Sequence, residues 1–510
     1  MRRKSNLRKK KLAKNTVASL IAQASILICG FVLPRFFLQY FGSEVNGLVN
    51  SITQFLSIIS FLELGVGAVV QSSLYKPLAE HDEKQISCIM VSANKFFRNL
   101  AKILLLYVIG LIFFYPLLVR SSFGHIYTAV LIAAISISSF AQYYFGIVNA
   151  LLLNADQCGY IQYNAQTAMV ILNTAACVFL MHMGASIQIV KLTTSLIYLI
   201  RPLALKIYVQ RHYSINWEIE YREEPIQQKW NGIAQHVAAV VLDGTDTIVL
   251  TIFSTLANVS VYSVYFLVVR GVKTMFMSLT GGIQSLLGEL WAKQELEKLR
   301  SFFEWIEWSI HTGVTYTFGC TAVLLVPFVS VYTMGINDVN YIQPFFAFLL
   351  TMANAMHCLR LPYNLMVLAA GHYKQTQRNY IVAVILNIAI SILAVKHFGL
   401  IGVAIGTVIA MGYQTIWLAI YDSKHFINWP IWKVAKQFFV DFITTLLLLL
   451  VVAQVDMEVS NYLEWSVLAV KVALFAGTLA VIVNMLFYRQ KMVFLLGKLC
   501  RKIKCINGKA

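Results

Sequence analysis

Apolar residues run along this chain in blocks of roughly 20, the length an α-helix needs to cross a hydrocarbon core of about 30 Å, with short polar hinges between them. Val17–Phe41, Gly47–Tyr75, Leu100–Val119 and Ile126–Leu153 are the first four. The series runs from about Thr16 to about Tyr488 and amounts to about fourteen spans. A soluble chain of 510 residues has no interior able to hide so much apolar surface. The pattern predicts an all-α integral membrane protein that acts within the bilayer.

Composition strengthens this expectation: 58% of residues are hydrophobic, 13% are charged, and the mean hydropathy is +0.68. Val17–Phe41 is longer than a signal-peptide core, contains Pro34-Arg35 and lacks a small-residue cleavage site. It reads as a retained first span. The net charge of +18 is no sign of nucleic acid, because the basic residues sit in loops between spans. The eight cysteines form no CxxC pair and no Cys/His cluster, which predicts no disulfide, no metal and no cofactor.

Those basic loops set the orientation. The tails before Asn15 and after Tyr488 are rich in Lys and Arg, as are the loops near Lys76–Arg98, Lys206–Lys229, Lys293–Arg300, Lys374–Arg378 and Lys424–Lys436. Together they hold about three quarters of the 41 basic residues, whereas the opposite loops hold almost none beyond Arg120 and Lys396. Both termini are therefore expected in the cytoplasm. The external loops, such as Gly42–Asn46 and His397–Leu400, are too short for a catalytic domain. No loop carries a Ser/His/Asp set or paired catalytic carboxylates, so an enzyme is not expected.

A weak repeat halves the chain. Ile21-Ala22-Gln23 recurs as Ile233-Ala234-Gln235, and Gln71-Ser72-x-Leu74 recurs as Gln284-Ser285-x-Leu287, with Ala79 matching Ala292. Each half then holds six spans in one orientation, which makes parallel repeats about a pseudo-two-fold axis along the membrane normal. The expected organisation is a basic tail (1–15), a first six-helix lobe (16–212), a polar linker (213–228), a second lobe (229–425), two further spans (426–488) and a basic tail (489–510).

Certain residues carry a family resemblance. Asn15-Thr16, Leu33-Pro34-Arg35-Phe36-Phe37-Leu38, Phe41-Gly42 and the run Asn46-Gly47-Leu48…Gln54-Phe55…Glu63-Leu64-Gly65 resemble polysaccharide-export flippases of the Wzx type. Those belong to the same superfamily as MATE multidrug exporters and lipid II flippases (the MOP superfamily). The resemblance implies a V-shaped pair of lobes in a bacterial plasma membrane. It also implies a cargo of oligosaccharide on an undecaprenyl diphosphate carrier, moved from the inner to the outer leaflet for capsule, O-antigen or exopolysaccharide synthesis. Membrane lipids and polysaccharide polymerase machinery would be its partners. A lipid II flippase is the nearest alternative, and a MATE-like exporter of small molecules a more distant one.

Charges inside spans are costly and so mark candidate sites. Arg35, Arg201, Arg270, Lys273 and Arg360 are the cations, suited to the diphosphate that the resemblance implies. Glu63, Asp243 and Asp246 are candidate coupling or structural carboxylates. Asp441 and Lys471, at similar depth in the last two spans, are expected to form a structural ion pair. Lys191 reads as a residue that snorkels to the outer interface, and His236 and His311 as helix packing residues.

Overall fold

In the computed structural model, residues 2–62, 64–119, 123–221, 223–226, 233–452 and 458–507 are described, and among them there is no strand. The chain divides into two compact units, Met1–Ser263 and Val264–Ala510. The first contains α1 (Arg2–Ser57), α2 (Leu64–Glu80), α3 (Glu83–Leu118), α4 (His125–Ala141), α5 (Ile147–Ala155), α6 (Gly159–His182), α7 (Ile187–Tyr198), α8 (Ile200–His212), α9 (Ile233–Phe253) and the start of α10 (Leu256–Met277). The second contains the rest of α10, then α11 (Thr280–Ala292), α12 (Leu296–Tyr332), α13 (Pro344–Leu359), α14 (Leu361–Ala370), α15 (Tyr373–Phe398), α16 (Leu400–Asp422), α17 (Ile431–Val452), α18 (Tyr462–Phe487) and α19 (Arg489–Asn507).

Twelve of these stretches are long and apolar enough to cross a membrane. That count takes Ala13–Ser60 as one, although α1 turns at Gly42 (φ 77°, ψ 176°), a conformation open to glycine and strained for any side chain. It also leaves out α9, whose stretch Gly244–Phe253 is apolar but short. Separating the two crossings of α1 and admitting α9 agrees with the expectation of about fourteen. The outward faces are apolar: Leu106 is 70% exposed and Leu474 69%. Such faces need lipid as their solvent, while the helices satisfy their own backbone.

The order of elements recurs. α3 has 36 residues and α12 has 37, each precedes a helix broken partway, and α6 and α15 follow with 24 and 26. The breaks have local causes. A π turn at Gln142–Gly146 separates α4 from α5, and Pro362 follows the junction of α13 and α14 at Arg360. Side chains cap the starts of α3 and α18. The Asp82 carboxylate accepts from the backbone N–H of Gln85 at 2.9 Å, and Asn461 does the same for Glu464 at 2.9 Å.

Residues of the recognisable motif hold the first unit together. Asn15 donates to the Gln157 carbonyl at 2.9 Å and accepts from the N–H of Tyr160 at 2.8 Å. Beside it, Lys11 reaches the Asp156 carboxylate at 3.2 Å, and the Tyr213 hydroxyl donates to the same oxygen at 2.8 Å. Gly47 passes against the backbone of Leu256 so closely that a Cβ there would overlap the Leu256 carbonyl oxygen. Around that crossing Asn46 donates to Ser260 at 2.8 Å, Asn50 to Ser263 at 3.3 Å, and Thr251 to Ser51 at 2.8 Å. This is a polar seam between α1 and the α9–α10 hairpin.

Candidate functional site

Inside the first unit lies a cavity of about 520 Å³, bounded by α1, α4, the π turn, α6, α7 and α8. Its cations are Lys191 and Arg201, both within the candidate span Ile187–His212. Ser138, Gln142, Gln166, Thr194 and Tyr198 add neutral polar groups, and among the described residues no carboxylate lines it. The local sequence explains how it forms. The chain breaks between α7 and α8 just before Pro202, and the π turn faces that break with Gly146 packed against Pro202, so both walls depart from regular helix beside the cavity. Lys191 also sits 4.0 Å from the centre of the Phe37 ring, a cation–π contact. An anion entering this cavity meets two positive groups in low dielectric, where their attraction is largely unscreened.

The expected site residues are distributed as follows. Arg201 lines the cavity, and Arg35 is half-buried on α1 in the same unit. Asp246 is buried and accepts from the Tyr262 hydroxyl at 3.0 Å. In the second unit Lys273 and Arg360 are both buried. Arg360 lies 3.2 Å from His357, and Lys273 is within electrostatic reach of the same ring. Arg270 is exposed. Glu63 and the side chain of Asp243 lie outside the described residues.

The Asp441–Lys471 pair is not formed. Lys471 is exposed, and Asp441 turns instead to α12. There His311, 0% exposed, meets the Asp441 carboxylate at 2.6 Å. Thr315 donates to the other oxygen at 3.0 Å and Gln437 at 3.2 Å. The Tyr363 hydroxyl donates to the buried Glu307 at 2.7 Å and lies 3.4 Å from the other ring nitrogen of His311. Depth along two helices points to the lysine, but the facing of each side chain around its helix axis decides for His311. Nearby, Trp308 donates to Asn484 at 2.7 Å and Lys491 pairs with Glu304 at 3.2 Å. The last two crossings are thus keyed to α12 by polar contacts.

Sequence reasoning missed two members of these sites. Lys191 lies near a span end and also lines the cavity, and the signal for the second is its spacing from Arg201 across a Pro-marked break. His311 was set aside as a lone helix histidine; the carboxylate opposite it is distant in sequence and invisible to local pattern.

No family model and no curated protein matches the sequence. Solved structures do match. The lipid II flippase MurJ, in an inward closed conformation, aligns with a TM-score of 0.69 at 14% identity, covering 93% of this chain and 99% of that one. A Vibrio cholerae MATE transporter aligns at 0.57 and 13% identity, over 82% of this chain and 98% of its own. A eukaryotic MATE transporter aligns at 0.56 and 12%, over 81% and 95%. This chain has the helical membrane fold that the MurJ flippase and the MATE transporters share.

Proposed function

We propose that this protein transports a lipid-linked oligosaccharide across the membrane, taking undecaprenyl-diphosphate-linked glycan from the inner to the outer leaflet of a bacterial plasma membrane. The observation that carries this reading is the cavity of the first unit, with Lys191 and Arg201 from the candidate span Ile187–His212 and, among the described residues, no carboxylate in its lining. Half-buried cations there suit a diphosphate, and the amides, hydroxyls and Tyr198 suit sugar. An exporter of small cations would need the opposite charge. The lipid tail can remain in the bilayer while the headgroup crosses. Release on the far side would require the seam between α1 and the α9–α10 hairpin to part, as alternating access demands. Arg35, Arg270, Lys273 and Arg360 remain candidates for the rest of the path, and Glu63, Asp243 and Asp246 for coupling. Polymerase machinery is the expected recipient of the product.

A second reading, a lipid II flippase, is favoured by one observation: the MurJ structure matches 93% of this chain, whereas the two MATE structures match 82% and 81%. Both cargoes carry a diphosphate, so the cavity serves either. The test is Arg201→Gln and Lys191→Gln, measured by leaflet-resolved accumulation of lipid-linked precursor together with membrane abundance. Each variant should lower translocation at least tenfold at unchanged abundance. Normal translocation in the combined variant would refute the reading. Which precursor accumulates inside, the surface-glycan intermediate or lipid II, separates the two cargoes.

A further inference from the structure

A second basic concavity of about 590 Å³ lies elsewhere on the first unit, between the early turns of α3, the π turn, α5, α8 and the loop at Trp217. Lys95, Arg98 and Lys102 line it from one face of α3, spaced three and four residues apart, and Lys206 faces them from α8. Among the described residues no Asp or Glu lines it and none of the four cations is in a salt bridge. Like charges on one helix face repel, so without an anion this arrangement is destabilised. Its cations rest on aromatic rings: Arg98 lies 4.9 Å from the centre of Tyr144, and Lys206 lies 5.3 Å from Phe145. Trp217 and the amides of Asn94 and Asn149 complete the wall. α3 has 36 residues, about 54 Å, so it exceeds the hydrocarbon core. Lys95 and Arg98 fall near the end that carries the basic loops, where headgroups lie.

We propose that this concavity is a binding site for a net-negative phosphate-bearing lipid headgroup, distinct from the cavity of Lys191 and Arg201. Arg98 supplies a planar fork for phosphate oxygens, the three lysines supply point charges, and Tyr144, Phe145 and Trp217 supply faces for a sugar or glycerol moiety. The two sites share the π turn. Gln142 and Gly146 border the first cavity, while Tyr144 and Phe145 border this one. The phosphate chemistry has two sources, the prenyl diphosphate of a carried glycan or an anionic phospholipid of the bilayer. Only the first of these rests on the proposed function.

The experiment uses the full chain in phosphatidylcholine nanodiscs, with lipid binding counted by native mass spectrometry. The probes are phosphatidylglycerol and a prenyl diphosphate. Arg98→Gln combined with Lys102→Gln should weaken binding of at least one probe by about tenfold. Lys374→Gln combined with Arg378→Gln removes the same charge from the second unit and should leave binding within about twofold. Loss for the prenyl diphosphate alone assigns the site to the carrier, loss for phosphatidylglycerol alone assigns it to the bilayer, and loss for both assigns it to the shared headgroup chemistry. Undiminished binding of both probes, or equal losses in the control pair, overturns the proposal. Because the readout is binding, failure of the translocation test leaves this result standing, and the two readings fail separately.

Discussion

The His311–Asp441 contact makes a quantitative demand on stability. Both residues are buried, at 0% and 7% exposure, and their separation is 2.6 Å. Replacing His311 with Leu leaves the Asp441 carboxylate with only the donors Thr315 and Gln437, in a site water does not reach. Breaking a buried pair from one side costs about 3–5 kcal/mol, because the remaining charge keeps its desolvation penalty. On the scale of about 2–4 °C per kcal/mol for domains of this size, the midpoint of unfolding should fall by on the order of 10 °C. Asp441→Leu removes the charge but strands the ring nitrogen and the Gln437 amide, and should cost about 1–3 kcal/mol for each unmet polar group. The combined variant should be more stable than the sum of single losses implies, with a coupling of about 1–3 kcal/mol. Thermal unfolding of the purified protein in detergent, followed by intrinsic fluorescence, measures all three. Added salt should not change the differences, since a buried pair is poorly screened. A single-variant loss below about 1 kcal/mol, or strict additivity of the two, would refute the claim that this pair joins α17 to α12.

Other consequences can be measured directly. Gly47→Ala places a methyl on the Leu256 carbonyl oxygen, so membrane abundance should fall severalfold, whereas Gly30→Ala, with open space around it, should leave abundance unchanged. Burial, and then the hydrogen bond that the thiol donates to the Asp156 carboxylate, push the Cys158 thiol above its usual range. Its maleimide labelling should therefore be slow at neutral pH, and Asp156→Asn should accelerate it, as read by mass shift. Burial alone would lower the Lys11 ammonium, but its bonds to Cys158 and Asp156 outweigh that and raise it. A raised group stabilises the fold fully below its unfolded value near 10.5 and loses that contribution only as pH climbs past the folded value. Lys11→Met should thus lower the unfolding midpoint equally at pH 6 and pH 9, by scanning fluorimetry. A cysteine at Ser254 or Asn340 should react with an impermeant maleimide in intact cells, and one at Gln294 or Gln377 should not; the reverse pattern would invert the expected orientation.

The crossings were legible because span length is a one-dimensional property: a run of apolar residues reads the same before and after folding. Gly42 and Gly47 were legible as motif, but their reasons, a left-handed turn and a backbone contact with Leu256, needed coordinates. Charge pairing was not legible. Depth follows from counting residues along a helix, but facing around its axis is signalled by polarity, and membrane helices are apolar on most sides. That is why Asp441 was matched to Lys471 at equal depth, while its partner His311 lay on a helix far away in sequence. Where the surroundings were polar, as at Asn15, the residue was noticed although its clamp on Gln157 and Tyr160 was not foreseen.

The seam at Asn46, Asn50 and Ser51 sets amides and hydroxyls beside the aliphatic packing of Leu48, Ile52 and Leu256. Each such bond is worth only about 0.5–1.5 kcal/mol net, because water offers the same donors and acceptors. A fastener of this kind opens cheaply when wetted and recloses without memory, since every group finds a partner in either condition. Leucines in the same places would hold until pulled apart and would then expose a surface that water cannot satisfy.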